Sequence, residues 1–170
     1  MEAQDQTTRS PRALQPPRRM SPSRLVGLAA LLLATAAAPL SAQLAVIVNE
    51  RNAADEISTD RLKRLFLGQA TTFTAGDHAR LATHAPSSER FDRSALGLSR
   101  ELVRSRWIGM AFRGEATSVP TDLTTVDDVK RFVREHPDAI AYIPAADVDA
   151  TVKELRVDGK RPADPGYPIR

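Results

Sequence analysis

The sequence predicts an α/β domain, and three observations predict it. Two compact apolar runs, Leu44-Ala45-Val46-Ile47-Val48 and Ala139-Ile140-Ala141-Tyr142-Ile143, have the length of buried strands. Between them apolar residues recur at helical spacing, first as Leu62, Leu65 and Phe66, later as Val126, Val129, Phe132 and Val133. Strand-like and helix-like stretches alternate instead of segregating, which is the α/β pattern. No internal repeat or linker divides Gln43 to Arg170, so residues 43–170 are read as one domain.

Residues 1–42 are read as an address, not a fold. Up to Arg24 the chain is rich in Pro, Ser, Gln and Arg and offers almost nothing apolar to bury. Leu25 to Ala38 is an uncharged apolar run, too short for the roughly 20 residues of a bilayer-spanning helix. It follows Arg18, Arg19 and Arg24 and ends in Pro39-Leu40-Ser41-Ala42. That is the layout of a secretory signal peptide, with cleavage expected after Ala42 and a periplasmic or secreted product. Met20 offers a second possible start, which would shorten the signal.

From Gln43 the elements follow in order. Leu44 to Val48 is the first strand, and Asn49 to Glu56 reads as a loop. Ser58 or Thr59 can cap a helix to about Leu67, closed by Gly68 in the left-handed conformation. Ala75-Gly76-Asp77 marks a turn, and Ala79 to Thr83 is a short strand. Ser87 or Ser88 can cap a helix from about Glu89 to Gly97. A further helix runs from Ser99 to Phe112, and Gly114 ends it. Thr117 to Asp122 is a proline-containing loop. Thr125, with Asp128 three residues on, opens a helix closed by His136-Pro137. Ala139 to Ile143 is a buried strand, Val152 to Val157 a strand exposed on one side, and Gly159 to Arg170, with three prolines, an extended tail.

Composition excludes several kinds of chemistry. The chain has no cysteine, so disulfides, thiolate zinc sites, iron–sulfur clusters and thiol nucleophiles are out. His78, His84 and His136 show no ligand spacing and read as surface or loop residues. Gly97-Leu98-Ser99 is followed by Arg100-Glu101, so no nucleophile elbow forms, and no glycine-rich phosphate loop occurs. The expectation is a non-enzyme without metal or cofactor. Asp127-Asp128 suits a helix start better than acid–base work.

The charge points the same way. The 24 Lys and Arg exceed the 21 Asp and Glu, but residues 1–42 hold five Arg and two acids, leaving 19 of each sign after them. The basic excess therefore belongs to the export segment, not to a nucleic-acid surface. The series Arg93, Arg100, Arg104, Arg106 and Arg113 is interleaved with Asp92, Glu101 and Glu115, and reads as a solvated helix face. One local feature suits an anion. Ser87 and Ser88 at a helix start after a strand could offer hydroxyls and free N–H groups, with Arg90 adding charge. The plainer reading is that one serine caps the helix.

The order of the pieces resembles a known family. Leu62-Lys63-Arg64-Leu65-Phe66-Leu67-Gly68 is followed by Phe73 and Gly76, then by Pro86-Ser87-Ser88 and Phe91. Trp107 precedes Phe112-Arg113-Gly114, and VKRFVREHPDAIAYI spans Val129 to Ile143. From Leu44 to Tyr142 the chain is similar to the phosphate-type substrate-binding proteins of ABC transporters, in particular to short, single-lobed members. The resemblance implies a type 2 periplasmic-binding-protein-like lobe, a mixed sheet flanked by helices. In that family two lobes close on an oxyanion held by hydroxyls and backbone N–H groups, with an Arg and an Asp assisting, and deliver it to an inner-membrane permease.

By that resemblance Ser87 matches the serine of the family's S-G-T loop, Ser88 stands at its Gly and Glu89 at its Thr. Thr83 stands where full-length binders carry an Arg, Ala141 replaces a Gly, and Phe73 a Trp. Glu89 would repel phosphate if it faced the site, and the absent Arg removes a charge-assisted partner. Two readings follow: an extracytoplasmic binder of phosphate or a similar oxyanion at Ser87, Ser88 and Arg90, or an envelope interaction or sensor module that kept the fold without the ligand. In either, a homodimer could complete the cleft.

Overall fold

A computed structural model describes residues 43–72, 78–116 and 119–170. The expected signal segment, the turn at Ala75-Gly76-Asp77, Phe73, and the first two residues of the Thr117–Asp122 loop lie outside the described residues.

The chain runs through β1 (Leu44–Val48), β2 (Glu56–Ile57), α1 (Thr59–Phe66), β3 (Arg80–His84), α2 (Ser88–Phe91), α3 (Arg100–Phe112), β4 (Thr121–Leu123), α4 (Val126–Glu135), β5 (Ala139–Pro144) and β6 (Lys153–Val157). The strands form a single mixed sheet in the order β2-β6-β1-β5-β3-β4. β1 runs antiparallel to β5 and β6, while β3 runs parallel to both β4 and β5. The α/β expectation and the mixed sheet flanked by helices are what the structure has.

The two faces of the sheet differ in side-chain size. On one, Leu44, Val46, Val48, Leu81, Ile140 and Tyr142 pack with Phe66, Phe91 and Trp107 of α1, α2 and α3. On the other, Ala45, Ala82, Ala139 and Ala141 leave room for α4 to settle closely through Val129 and Val133. Strand period two divides each apolar run between these layers, so the runs are buried throughout.

Caps fix the helices largely as expected. Ser58 accepts from the Arg61 N–H, Ser99 from Leu102 and Thr125 from Asp128. Gly68 closes α1 at φ +67°, and a methyl there would lie 2.6 Å from Met110 Cε and 3.0 Å from the Trp107 ring. Only glycine meets both demands.

Five expectations are corrected. β2 and β4 were expected as loop, and their two and three residues are too few to show a strand period. The helix expected over Glu89–Gly97 is entered through a 3-10 turn, Ala85–Ser87, continues as α2 and widens into a π turn over Asp92–Leu96. Neither serine caps it: the turn already gives the Ser88 N–H to the Ala85 carbonyl, so no cap is needed there. The tail is not simply extended. Tyr167 and Ile169 are buried, the Tyr167 hydroxyl donates to the Leu44 carbonyl at 2.8 Å, and the Leu44 N–H donates to Ile169 at 3.3 Å. Finally, His84 is a core residue, not a surface one.

Candidate functional site

The carboxyl ends of β3 and β4 lie side by side, with Thr83 in register with Asp122. In open α/β sheets this end of parallel strands is where ligand crevices form. Thr83 donates its hydroxyl to Asp122. Arg100, in the first turn of α3, reaches both carboxylate oxygens of Asp122 at 2.9 and 3.1 Å. Its other arm stands 3.5 Å from Asp92.

The π turn places Asp92 inside. Its backbone carbonyl accepts from both Gly97 and Leu98, and its carboxylate turns inward, with the side chain 3% exposed. Burial pushes this carboxyl up to about 6; the charge of Arg100 and its hydrogen bond oppose that, and Glu89 and Asp122 add to it. Burial acts on Asp122 too, but the bonds from Thr83 and Arg100 outweigh it and hold Asp122 below the usual range. The two acids therefore differ: Asp122 is a firm anion, Asp92 a strained one.

Beside this cluster opens a crevice of about 240 Å³. Thr83, Asp92, Arg100, Arg104 and Asp122 supply its polar part. The remainder is apolar: Phe66, Leu96, Val103 and Trp107 below, Ile108, Ala111, Val119 and Pro120 toward the mouth. The floor is held rigidly. Trp107 donates its indole N–H to the Phe66 carbonyl at 3.0 Å, Phe66 meets Phe91 edge to face at 4.9 Å, and Phe91 stacks on Tyr142 at 3.8 Å.

Ser87 and Ser88 are buried behind this crevice and do not line it. The Ser87 hydroxyl bonds His84 Nδ1 at 2.8 Å. Ser88 donates to the His84 carbonyl at 3.1 Å and shares a bond of 2.9 Å with the Tyr142 hydroxyl. Burial lowers the pKa of His84, partly offset by Asp147. Burial also raises that of Tyr142, so its hydroxyl stays protonated and available to this network. Arg90 is exposed and faces a separate shallow depression with Pro86, Glu89, Arg93 and Arg170. The fold thus brings Ser87 and Ser88 together and leaves Arg90 apart.

The residues sequence reasoning missed are Arg100, Arg104, Asp92 and Asp122. The signal was present on α3, where Arg100, Arg104, Trp107, Ile108 and Ala111 recur at helical spacing and share one flank. Of the basic series, Arg93 and Arg113 are on the surface, paired with Glu89 and Glu115 at 2.7 and 2.9 Å. Arg106 is bound instead to the Leu67 carbonyl at 2.7 Å. Among the described residues no three His, Asp or Glu side chains gather as metal ligands.

No family model matches the sequence, and no curated protein matches it. Solved structures do. One, from Clostridium perfringens, is assigned as a phosphate ABC transporter substrate-binding protein and holds bound phosphate; the likeness has a TM-score of 0.60 at 18% identity and covers 75% of this chain and 51% of that one. Another, from Planctomyces limnophilus and described as a possible phosphate binding protein, gives a TM-score of 0.50 at 12% identity, over 68% of this chain and 41% of the other. An ABC-type phosphate transport receptor from Vibrio cholerae gives 0.49 at 18% identity, over 71% and 48%. The chain spans about half the length of the first of these or less of the others. At such identities the likeness carries the fold and not the ligand. What the likeness shows is the fold: a mixed α/β sheet flanked by helices, similar to about half of a solved phosphate ABC transporter substrate-binding protein.

Proposed function

We propose that the protein is an extracytoplasmic solute-binding protein whose ligand carries a small oxyanion group, with phosphate the reference case. The observation that supports this is the crevice at the carboxyl ends of β3 and β4, with the Arg100 and Arg104 side chains on it. Arg100 stands beside the strand position where the resemblance expected an Arg and the sequence has Thr83, and it is bonded to that strand's neighbour through Asp122. In this reading the oxyanion meets Arg100 and Arg104; Ser87 and Ser88 could add hydroxyls only by releasing His84 and Tyr142, and Arg90 faces a separate depression. The polypeptide is exported through residues 1–42, residues 43–170 act as the binding unit, and an ABC permease receives the solute. Among the described residues no helix is long and apolar enough to cross a membrane.

Titration calorimetry of residues 43–170 with phosphate tests the reading. Saturable binding is expected, weakened at least tenfold by Arg104→Ala. A folded sample that binds nothing at millimolar phosphate or phosphate ester overturns it. One observation favours the second reading, an envelope interaction or sensor module. Ile108, Phe112 and Val119 are 48%, 88% and 54% exposed next to the crevice, an apolar rim suited to a protein partner or a second copy of the chain.

A further inference from the structure

The walls of the crevice say more about its ligand than the fold does. A free tetrahedral oxyanion is polar on every side and gains nothing from apolar surface. Yet Phe66, Leu96, Val103 and Trp107 form the floor, and Ile108 and Val119 extend it to the mouth. Of the polar groups, Thr83, Asp122, Arg100 and Asp92 are joined in one bonded cluster. Sites of this make-up take ligands with an apolar body fixed by a few polar contacts. A volume of about 240 Å³ lies just below the range of roughly 300–1,000 Å³ typical of small-molecule sites, which suits one ring or a short branched chain.

The sign of the polar contact follows from the ion pairs. Asp122 is taken by Arg100 and Thr83, and among the described residues Asp92 has one ion pair, with Arg100. Arg104 makes no ion pair among the described residues, yet it lies near enough to Asp122 to lower its pKa. Arg100 is shared by the two acids, so among the described residues the crevice guanidinium with no carboxylate bonded to it is that of Arg104, and a guanidinium recognises a planar or tetrahedral oxyanion through paired N–H groups.

We infer that the crevice between α3 and β4 binds an organic oxyanion, one anionic group on Arg104 joined to an apolar group of about a ring's size on the Phe66–Trp107 floor. This rests on the solute-binding reading above and names the ligand class of the same site. It also gives the apolar rim a role, since Ile108 and Val119 extend the surface that the ligand's body covers.

The test compares three probes on the purified protein by calorimetry: inorganic phosphate, phenyl phosphate and phenethylamine. Phenyl phosphate is expected to bind at least tenfold more tightly than phosphate, and phenethylamine more weakly than phenyl phosphate. Ile108→Ser, at a half-exposed position that tolerates a polar residue, should reduce the preference for phenyl phosphate over phosphate. Arg104→Met should weaken phenyl phosphate at least tenfold. Phosphate binding as tightly as phenyl phosphate overturns the inference and leaves the solute-binding reading standing. Failure of both phosphates to bind a folded sample overturns both. Phenethylamine binding as tightly as phenyl phosphate overturns the inferred charge, because the acids of the crevice would then be the contact.

Discussion

Replacing Asp92 by Asn should make the protein more stable at neutral pH, and the gain should vanish in acid. Asp92 is 2% exposed and has one cation, 3.5 Å away, to offset the loss of water. Burial pushes its carboxyl from 3.8 up to about 6, so the folded chain holds this proton more tightly than the unfolded chain does. The sign follows directly. The native state is favoured below pH 3.8, and that contribution is lost as pH rises through about 6. At 1.36 kcal/mol per unit the loss amounts to about 3 kcal/mol. Asn keeps the shape without the charge and so keeps the stability throughout. His84 works in the opposite direction, since its lowered pKa costs stability as pH falls, but it is common to both proteins and cancels in their difference. Urea unfolding of both chains from pH 4 to pH 8 measures that difference. It should move by about 2.5 kcal/mol in favour of Asp92→Asn across the range, the rest of the change lying below pH 4. A difference constant within about 0.5 kcal/mol, or one that moves the other way, would mean that Arg100 compensates the buried carboxylate fully.

Three further perturbations probe the frame around the crevice. Tyr142→Phe removes the bond to Ser88 and should cost about 1 kcal/mol, with a coupling of similar size to Ser88→Ala in a double-mutant cycle by chemical denaturation. Gly68→Ala should cost about 2–4 kcal/mol, because strain at φ +67° adds to the collision with Met110 and Trp107. Gly97→Ala, at φ +71° with nothing nearer than Lys63 Nζ at 3.8 Å, should cost only about 1–2 kcal/mol, so equal losses at the two sites would refute the packing argument. Ile169→Ala should cost about 2–5 kcal/mol in the same assay, since the residue is fully buried beneath β1; a loss under about 0.5 kcal/mol would show the tail to be dispensable.

Much of this architecture was legible in the residues because it depends on local pattern. Leu44–Val48 and Ala139–Ile143 read as buried strands because both faces of the sheet are covered, and uninterrupted apolar runs have no other use in so short a segment. The caps at Ser58, Ser99 and Thr125 depend on one side chain and an N–H three residues on. What escaped depends on distant parts of the chain. β4 is three residues whose partner lies 39 positions earlier, and the tail is held by β1, more than 120 positions before it. The crevice escaped for the same reason. Arg100 and Asp122 are ordinary surface residues in the sequence and become a pair only when β4 joins β3. The serines misled in the other direction. Their pattern is that of a helix cap, but the 3-10 entry removes the need for one and turns their hydroxyls to His84 and Tyr142.

The balance of charge limits how this crevice can hold an anion. Residues 43–170 carry 19 basic and 19 acidic residues, so they supply no net positive charge of their own to draw an anion in. Arg104 is exposed and still hydrated, so its charge-assisted bonds to an oxyanion contribute only about 1.5–3 kcal/mol. Arg100, better buried, spends its charge on Asp122 and Asp92. Charge can then orient a ligand here but holds it only weakly by itself. Apolar contact can do so, because each 100 Å² of apolar surface removed from water contributes about 2.5 kcal/mol regardless of net charge. The buried floor of Phe66, Leu96, Val103 and Trp107 stays rigid without a ligand, so little ordering entropy opposes that gain. The described residues of this chain form a single sheet, with the crevice at the carboxyl ends of its strands β3 and β4. A crevice holds best what its walls can cover, and these walls are mostly hydrocarbon.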